Sequence, residues 1–265
     1  MILLLDIGNT HTHLGWADAV GIRRTLDIDT TEVLEGRLSG SIQDWLGARS
    51  PVQAALCSVV PAAIRPAQTA MRGLMGQEAV VLGPDTLPRD LLTLRYPRPE
   101  TIGTDRIANS IAARHLFGGP VVAIDFGTAT TFDVVDAKGR FIGGVITPGI
   151  SALADYLHEK TAQLPRIRLQ EPRAAIGRST VEAMQVGTMV GYRGLIREVL
   201  CGIRDQLGDG GVRTVATGGY ARQVIRRLPE IDRFQPHLTL EGLRLFAEVA
   251  RTGDEDKKLS RTGKR

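Results

Sequence analysis

The sequence predicts an α/β protein made of two similar halves, each built on a mixed sheet. Three observations carry that expectation. An apolar run at residues 2–5 leads into Asp6-Ile7-Gly8-Asn9-Thr10 and then a second strand at 12–16. The same order returns at 121–124, Asp125-Phe126-Gly127-Thr128 and 131–135, with Asp125 standing 119 positions after Asp6. A chain of 265 residues is long enough for two packed domains. Two similar halves imply a duplicated domain with a cleft between them, a usual place for a ligand. The expected domains are 1–117 and 118–250, followed by a charged, flexible tail at 251–265.

In the first half, a third, edge strand is expected at 23–28. Leu34, Leu38, Ile42 and Trp45 recur at three to four positions, which predicts one helix over 31–46 with a single apolar face. A buried strand follows at 52–60, stopped by Pro61, then a helix at 64–74 ending near Gly76 and a strand at 79–82. Residues 83–102 carry Pro84, Pro88, Pro97 and Pro99 and read as a loop or inter-domain crossing. Residues 105–116 are helical. In the second half, 141–146 is a third strand closed by Pro148 and Gly149. A helix at 151–161, a loop to 178, a long helix over 179–207, a strand at 212–216 and short helices at 222–228 and 241–251 complete the pattern.

Composition narrows the function classes. Apolar residues make up 43% and charged residues 23%, ordinary values for a globular chain. The net charge of +4 invites a nucleic-acid reading, but residues 251–265 carry six basic and three acidic side chains, so the rest of the chain has only +1. No apolar run approaches the ~20 residues of a membrane span, and the start of the chain has no basic leader. Cys57 and Cys201 are far apart and form no zinc-ligand spacing, which suits a reducing, cytoplasmic setting. His11 and His13 fall on one face of a strand without a third ligand nearby, so surface or turn positions are expected for them.

The chemistry concentrates in three glycine turns. In residues 6–10, Gly8 permits an unusual backbone angle while Asn9 and Thr10 offer donors that suit phosphate oxygens. The Asp6 carboxylate would repel phosphate and becomes useful only through Mg²⁺ or water. Taken alone, these residues are better explained by ordinary hairpin chemistry. The second turn, Asp125 to Thr131, strengthens the phosphate reading. Gly218 and Gly219, after the buried strand at 212–216, let the backbone approach a purine and ribose, or form a plain turn. Neither a Walker A sequence nor a G-x-G-x-x-G opening is present.

In this order the turns resemble the phosphate, phosphate and adenosine signature of the actin, sugar-kinase and heat-shock ATPase superfamily, whose domains are ribonuclease H-like. Further motifs narrow the likeness: Ser58-Val59-Val60-Pro61, Tyr96 before Gly103-Thr104-Asp105-Arg106, D-F-G-T-A-T-T at 125–131, and Gly143-Gly144 with Pro148-Gly149-Ile150. With Arg178-Ser179-Thr180-Val181-Glu182 and A-T-G-G at 216–219, the chain resembles type III pantothenate kinases.

That resemblance implies ATP-dependent phosphorylation of pantothenate, with ATP and Mg²⁺ in the inter-domain cleft. It implies that Asp6, Ile7, Gly8, Asn9, Thr10, His11, Thr12, His13 and Thr128 contact ATP, with Gly218 and Gly219 at the adenosine. Asp125 would hold a monovalent cation (K⁺ or NH₄⁺), and Asp105 would be the proton acceptor. Tyr96, Gly103, Thr104, Asp105, Arg106 and Thr180 would line the pantothenate pocket of a homodimer. Pro97, Arg98, Ser179, Ala183 and His11 depart from the family's usual residues. Without the resemblance, Asp105 reads first as a first-turn helix carboxylate, and Thr180 can be a helix cap beside Ser179 and Tyr96 a surface aromatic. Two rival readings remain: a regulatory, transcription-accessory protein of the same fold, or a kinase for another small hydroxylated substrate.

Overall fold

The computed structural model describes the backbone of residues 1–208 and 211–262, with side chains through residue 250. The chain divides into two compact units. One comprises Met1–His115 together with His237–Arg265, and the other Leu116–Pro236.

In the first unit, β1 (Ile2–Ile7), β2 (His11–Ala17), β3 (Ile22–Asp29), β4 (Gln53–Ser58) and β5 (Val80–Val81) form a sheet of order β3-β2-β1-β4-β5. The first three strands are antiparallel neighbours, whereas β4 and β5 run parallel to β1. Leu3, Leu4 and Leu5 of β1 are fully buried. A strand buried on both faces reads as a continuous apolar run, and each such leucine contributes about 1.5–3 kcal/mol. Helix α1 (Thr30–Leu34), α2 (Leu38–Leu46) and α3 (Pro61–Met75) complete one core, where Val33, Ile42, Ala67 and Met71 pack with Leu3, Leu5 and Leu56.

The single helix expected over 31–46 is therefore two, because Gly36, at φ +76°, turns the backbone between them. Pro61 does more than end a strand: it starts α3 at the first helical position, where its missing N–H costs nothing. Helix α4 (Thr104–Phe117) follows a short 3₁₀ turn at Pro99–Thr101.

The second unit repeats the plan. Its strands β6 (Val121–Phe126), β7 (Ala129–Val135), β8 (Arg140–Pro148), β9 (Arg213–Thr217) and β10 (Arg233–Phe234) lie in the order β8-β7-β6-β9-β10. The strand senses match those of the first sheet, with β9 and β10 parallel to β6. Helix α5 (Ile150–Lys160), α6 (Thr180–Val186), α7 (Tyr192–Leu207) and α8 (Ala221–Val224) belong to this unit. Val122, Ile124, Phe132, Ile196 and Leu200 form its core. The continuous helix expected over 179–207 is interrupted by a π-helical turn at Gly187–Gly191, bracketed by two weak helix formers.

The last helix, α9 (Leu238–Thr262), starts earlier than the expected 241 and belongs to the first unit, not with 118–250. It packs on β1, β2 and β4. Gly15 leaves room for Leu240, and Gly242 lies against the backbone of Ala108, so small residues set these close approaches. Of the tail expected at 251–265, residues 263–265 lie outside the described residues, as do the side chains from 251 onward.

Candidate active site

In the first unit, the candidate residues gather at the C-terminal ends of the parallel strands. Asp6 is the penultimate residue of β1, and its register partner across the parallel pair is Cys57, the penultimate residue of β4. The Cys57 thiol donates to Asp6 Oδ1 at 3.3 Å. One residue further on, the Ser58 N–H donates to Thr104 Oγ1 (2.9 Å), and that hydroxyl donates back to the Ser58 carbonyl (3.0 Å). This double hydrogen bond ties the start of α4 to the end of β4. Asp105 follows directly, its Oδ1 accepting from the Arg106 N–H at 2.8 Å.

The electrostatics fit that placement. Burial is the largest influence on Asp105 and raises its pKa; the Arg106 N–H and the Arg106 charge pull the other way. Burial also pushes the Cys57 thiol well above its usual range, and the Asp6 and Asp105 carboxylates push it further. Cys57 thus senses both acids and stays a neutral thiol.

The turn after β1 is tight. The Gly8 N–H donates to the His11 carbonyl (3.0 Å), and a Cβ on Gly8 would lie 2.9 Å from that oxygen. At the start of α1, the Thr30 hydroxyl donates to the Gly8 carbonyl (2.7 Å), Thr12 Oγ1 lies 3.1 Å from Thr30 Oγ1, and the Thr30 N–H donates to the Thr10 carbonyl (2.9 Å). Thr30 therefore buttresses the turn from beneath while Asn9 and Thr10 stay exposed. Ile7 and Thr12 point into the protein and are fully buried, so toward a ligand they offer backbone only. His11 and His13 pair across the strands with Asp29 (3.9 Å) and Asp27 (2.7 Å), at exposed positions.

The second unit carries a matching turn. Asp125 is the penultimate residue of β6 and pairs with Thr217 of β9. The Gly127 N–H donates to the Ala129 carbonyl (3.1 Å), and the Gly149 N–H donates to the Thr128 carbonyl (3.0 Å). Gly218, at φ +95°, lies so close to Asp125 Oδ1 and the Phe126 backbone that a side chain there would meet both. Its carbonyl accepts from the Ala221 N–H at 3.1 Å, opening α8. Thr128 and Gly219 are exposed.

The two remaining expected residues lie on other segments of the chain. Tyr96 lies exposed on the segment before Pro99. Thr180 begins α6, whose cap is Ser179: its Oγ accepts from the Glu182 N–H (3.2 Å), and Glu182 Oε2 accepts from the Arg178 N–H (2.7 Å). Cys57 and Thr30 are the residues that sequence reasoning missed. Only the strand register brings them to the site. Cys57 does stand immediately before Ser58-Val59-Val60-Pro61, and that adjacency was the available signal.

Comparison with known structures defines the class. A structure from Campylobacter jejuni whose description names the Baf family of transcriptional activators superposes with TM-score 0.63 at 18% identity, covering 94% of this chain and 99% of that one. One from Sinorhizobium meliloti, described as a 2-dehydro-3-deoxygalactonokinase protein, superposes with TM-score 0.57 at 13% identity, over 94% and 99% of the two chains. The fold is that of the actin-like ATPases and sugar kinases.

Sequence comparison then narrows the class. The family model for type III pantothenate kinase matches residues 2–201. The type III pantothenate kinase of Frankia alni is 39% identical over 250 residues, covering 94% of this chain and 99% of that protein. The chain belongs to the type III pantothenate kinase family.

Proposed function

We infer that the protein transfers the γ-phosphoryl group of ATP to pantothenate, forming 4'-phosphopantothenate at the entry to coenzyme A synthesis. The observation that carries this reading is family membership across most of the chain. The regulatory alternative would be favoured by loss of a site carboxylate, yet Asp6, Asp105 and Asp125 are all present, as is Thr128.

Phosphoryl transfer needs positioning and charge neutralisation more than covalent help. We assign Asp105 as the general base that accepts the proton of the attacking pantothenate hydroxyl. Its support is a carboxyl group held at the start of α4, raised in basicity by burial. Arg106, a planar two-pronged donor, suits the pantothenate carboxylate. Tyr96, Gly103, Thr104 and Thr180 complete the proposed acceptor pocket.

For the nucleotide, we assign the turn of residues 6–13 and Thr128 to the phosphates, and Gly218 and Gly219 to the adenosine. Mg²⁺ arriving with ATP would neutralise phosphate charge while keeping most of its water shell. A monovalent cation, K⁺ or NH₄⁺, is assigned to Asp125, whose carboxylate lies against glycine backbone that a Cβ would crowd. A homodimer is proposed from family membership. A cytoplasmic setting is proposed from cysteine usage; no described helix is long and apolar enough to cross a membrane.

The test is a panel of pantothenate, sugars and acetate with coupled ADP detection, run with K⁺, Na⁺ or no added monovalent salt. Pantothenate-dependent ADP release that rises with K⁺ supports the reading. Turnover with a sugar or acetate but not pantothenate replaces it.

A further inference from the structure

The end of β4 serves both acids of the first unit, through adjacent residues and by different means. Ser58 holds the start of α4 through its backbone and Thr104, and so places Asp105. Cys57 reaches the other way and donates its thiol proton to Asp6 Oδ1. Its side chain is fully buried and borders no solvent, so water cannot replace that donor. We propose that Cys57 is a positioning residue for phosphoryl transfer, its S–H···O bond fixing the Asp6 carboxylate at the phosphate-binding turn relative to Asp105. The assignment rests on the kinase reading above for what Asp6 and Asp105 do.

Physical chemistry separates this role from mere packing. A buried thiol is a small apolar filler as well as a weak donor. If only volume mattered, valine would serve at position 57 and serine would be the poorer choice. If the donor matters, serine rescues and valine does not. The thiol is also suited to its setting. A carboxylate or a charged thiolate against Asp6 would repel it, whereas burial and the nearby acids together keep this thiol protonated. It therefore retains its proton when ATP adds further negative charge.

The experiment uses full-length Cys57→Ser, Cys57→Val and Cys57→Ala. Steady-state kinetics are measured against ATP and against pantothenate, MgATP binding is followed by calorimetry without pantothenate, and thermal midpoints are recorded. Loss of a donor to a charged acceptor predicts that Cys57→Val and Cys57→Ala lower kcat/KM for ATP and weaken MgATP binding by ~10-fold. The KM for pantothenate stays within about 2-fold, and Cys57→Ser stays within about 2-fold of the parent on every measure. If Cys57→Val does not fold, the Ala and Ser pair carries the comparison.

The proposal is overturned if the alanine variant binds and uses ATP as the parent does. It is also overturned if serine is as impaired as alanine, or if both substrates suffer equally. Failure of the parent to phosphorylate pantothenate would count against the kinase reading; the calorimetric comparison of MgATP binding would still decide the role of Cys57.

Discussion

Asp105 occupies the space that the side chain of Gly103 would fill: a Cβ on Gly103 would stand 2.5 Å from Asp105 Oδ1 and 3.5 Å from Val59 Cγ1. The glycine is thus the floor on which the proposed base rests. At 2.5 Å the carboxylate is the group that must move, while Val59 is at ordinary contact distance. Gly103→Ala should lower kcat by ~10- to 100-fold, as expected for a misplaced catalytic group, with MgATP affinity kept. Steady-state kinetics beside calorimetry check it, and an unchanged kcat would show that the carboxylate position does not matter.

Asp105→Asn should cut kcat by ~10²- to 10⁴-fold while leaving nucleotide binding nearly intact. The amide oxygen can still accept the Arg106 N–H, so the local fold is retained.

The same residue sets a pH dependence. A base works only when ionised, and burial raises the pKa of Asp105, so activity should fall on acidification at a higher pH than an unperturbed aspartate would give. The effect on stability runs the other way. The folded pKa lies above the unfolded one, so between the two the native state holds more protons, and the contribution of Asp105 declines as pH rises through that window. At neutral pH the ionised, buried group is a cost. Asp105→Asn should therefore melt at a higher temperature than the parent at neutral pH, and the gap should close in acid. Thermal melts across that range check the sign; a less stable variant at neutral pH would contradict it.

Thr30 grips the first turn through the Gly8 carbonyl and Thr12. Thr30→Val keeps the shape and removes the donor, leaving a carbonyl without its hydroxyl partner. The expected loss is about 1–2 kcal/mol of stability with a raised KM for ATP and an unchanged KM for pantothenate. Denaturant melts and substrate titrations measure both; equal effects on the two KM values would show a general rather than a turn-specific loosening.

Gly218 combines a positive φ of +95° with close contact to Phe126, whose backbone nitrogen would lie 2.6 Å from an added Cβ. That backbone belongs to β6 and cannot yield as a side chain can. Gly218→Ala should cost about 2 kcal/mol or more and displace the Asp125 carboxylate, abolishing any K⁺ stimulation. Melting curves and activity at several K⁺ concentrations provide the check.

Much of this architecture was legible in the sequence, because it is written in local signals. The runs at 2–5 and 121–124 are continuous and apolar, the Asp-x-Gly turns follow them, and both become penultimate-aspartate strands with the same sheet order. What escaped was non-local or depended on a single residue. Gly36 divides a helix whose apolar period runs straight through it. The two-residue strand Arg233–Phe234 is too short to show alternation. Helix α9 is amphipathic, and only its packing on β1, β2 and β4, with the notches at Gly15 and Gly242, shows that it belongs to the first unit. The same reason hid Cys57 and Thr30, whose roles exist only once β1, β3 and β4 are in register.

The most direct measurement follows a radiolabelled γ-phosphate from MgATP in the presence of pantothenate and K⁺, with the parent protein and Asp105→Asn side by side. Label on the 4'-oxygen of pantothenate with the parent, reduced by orders of magnitude in the variant, is the predicted result. Label released only as inorganic phosphate, or equal transfer by both proteins, would contradict it.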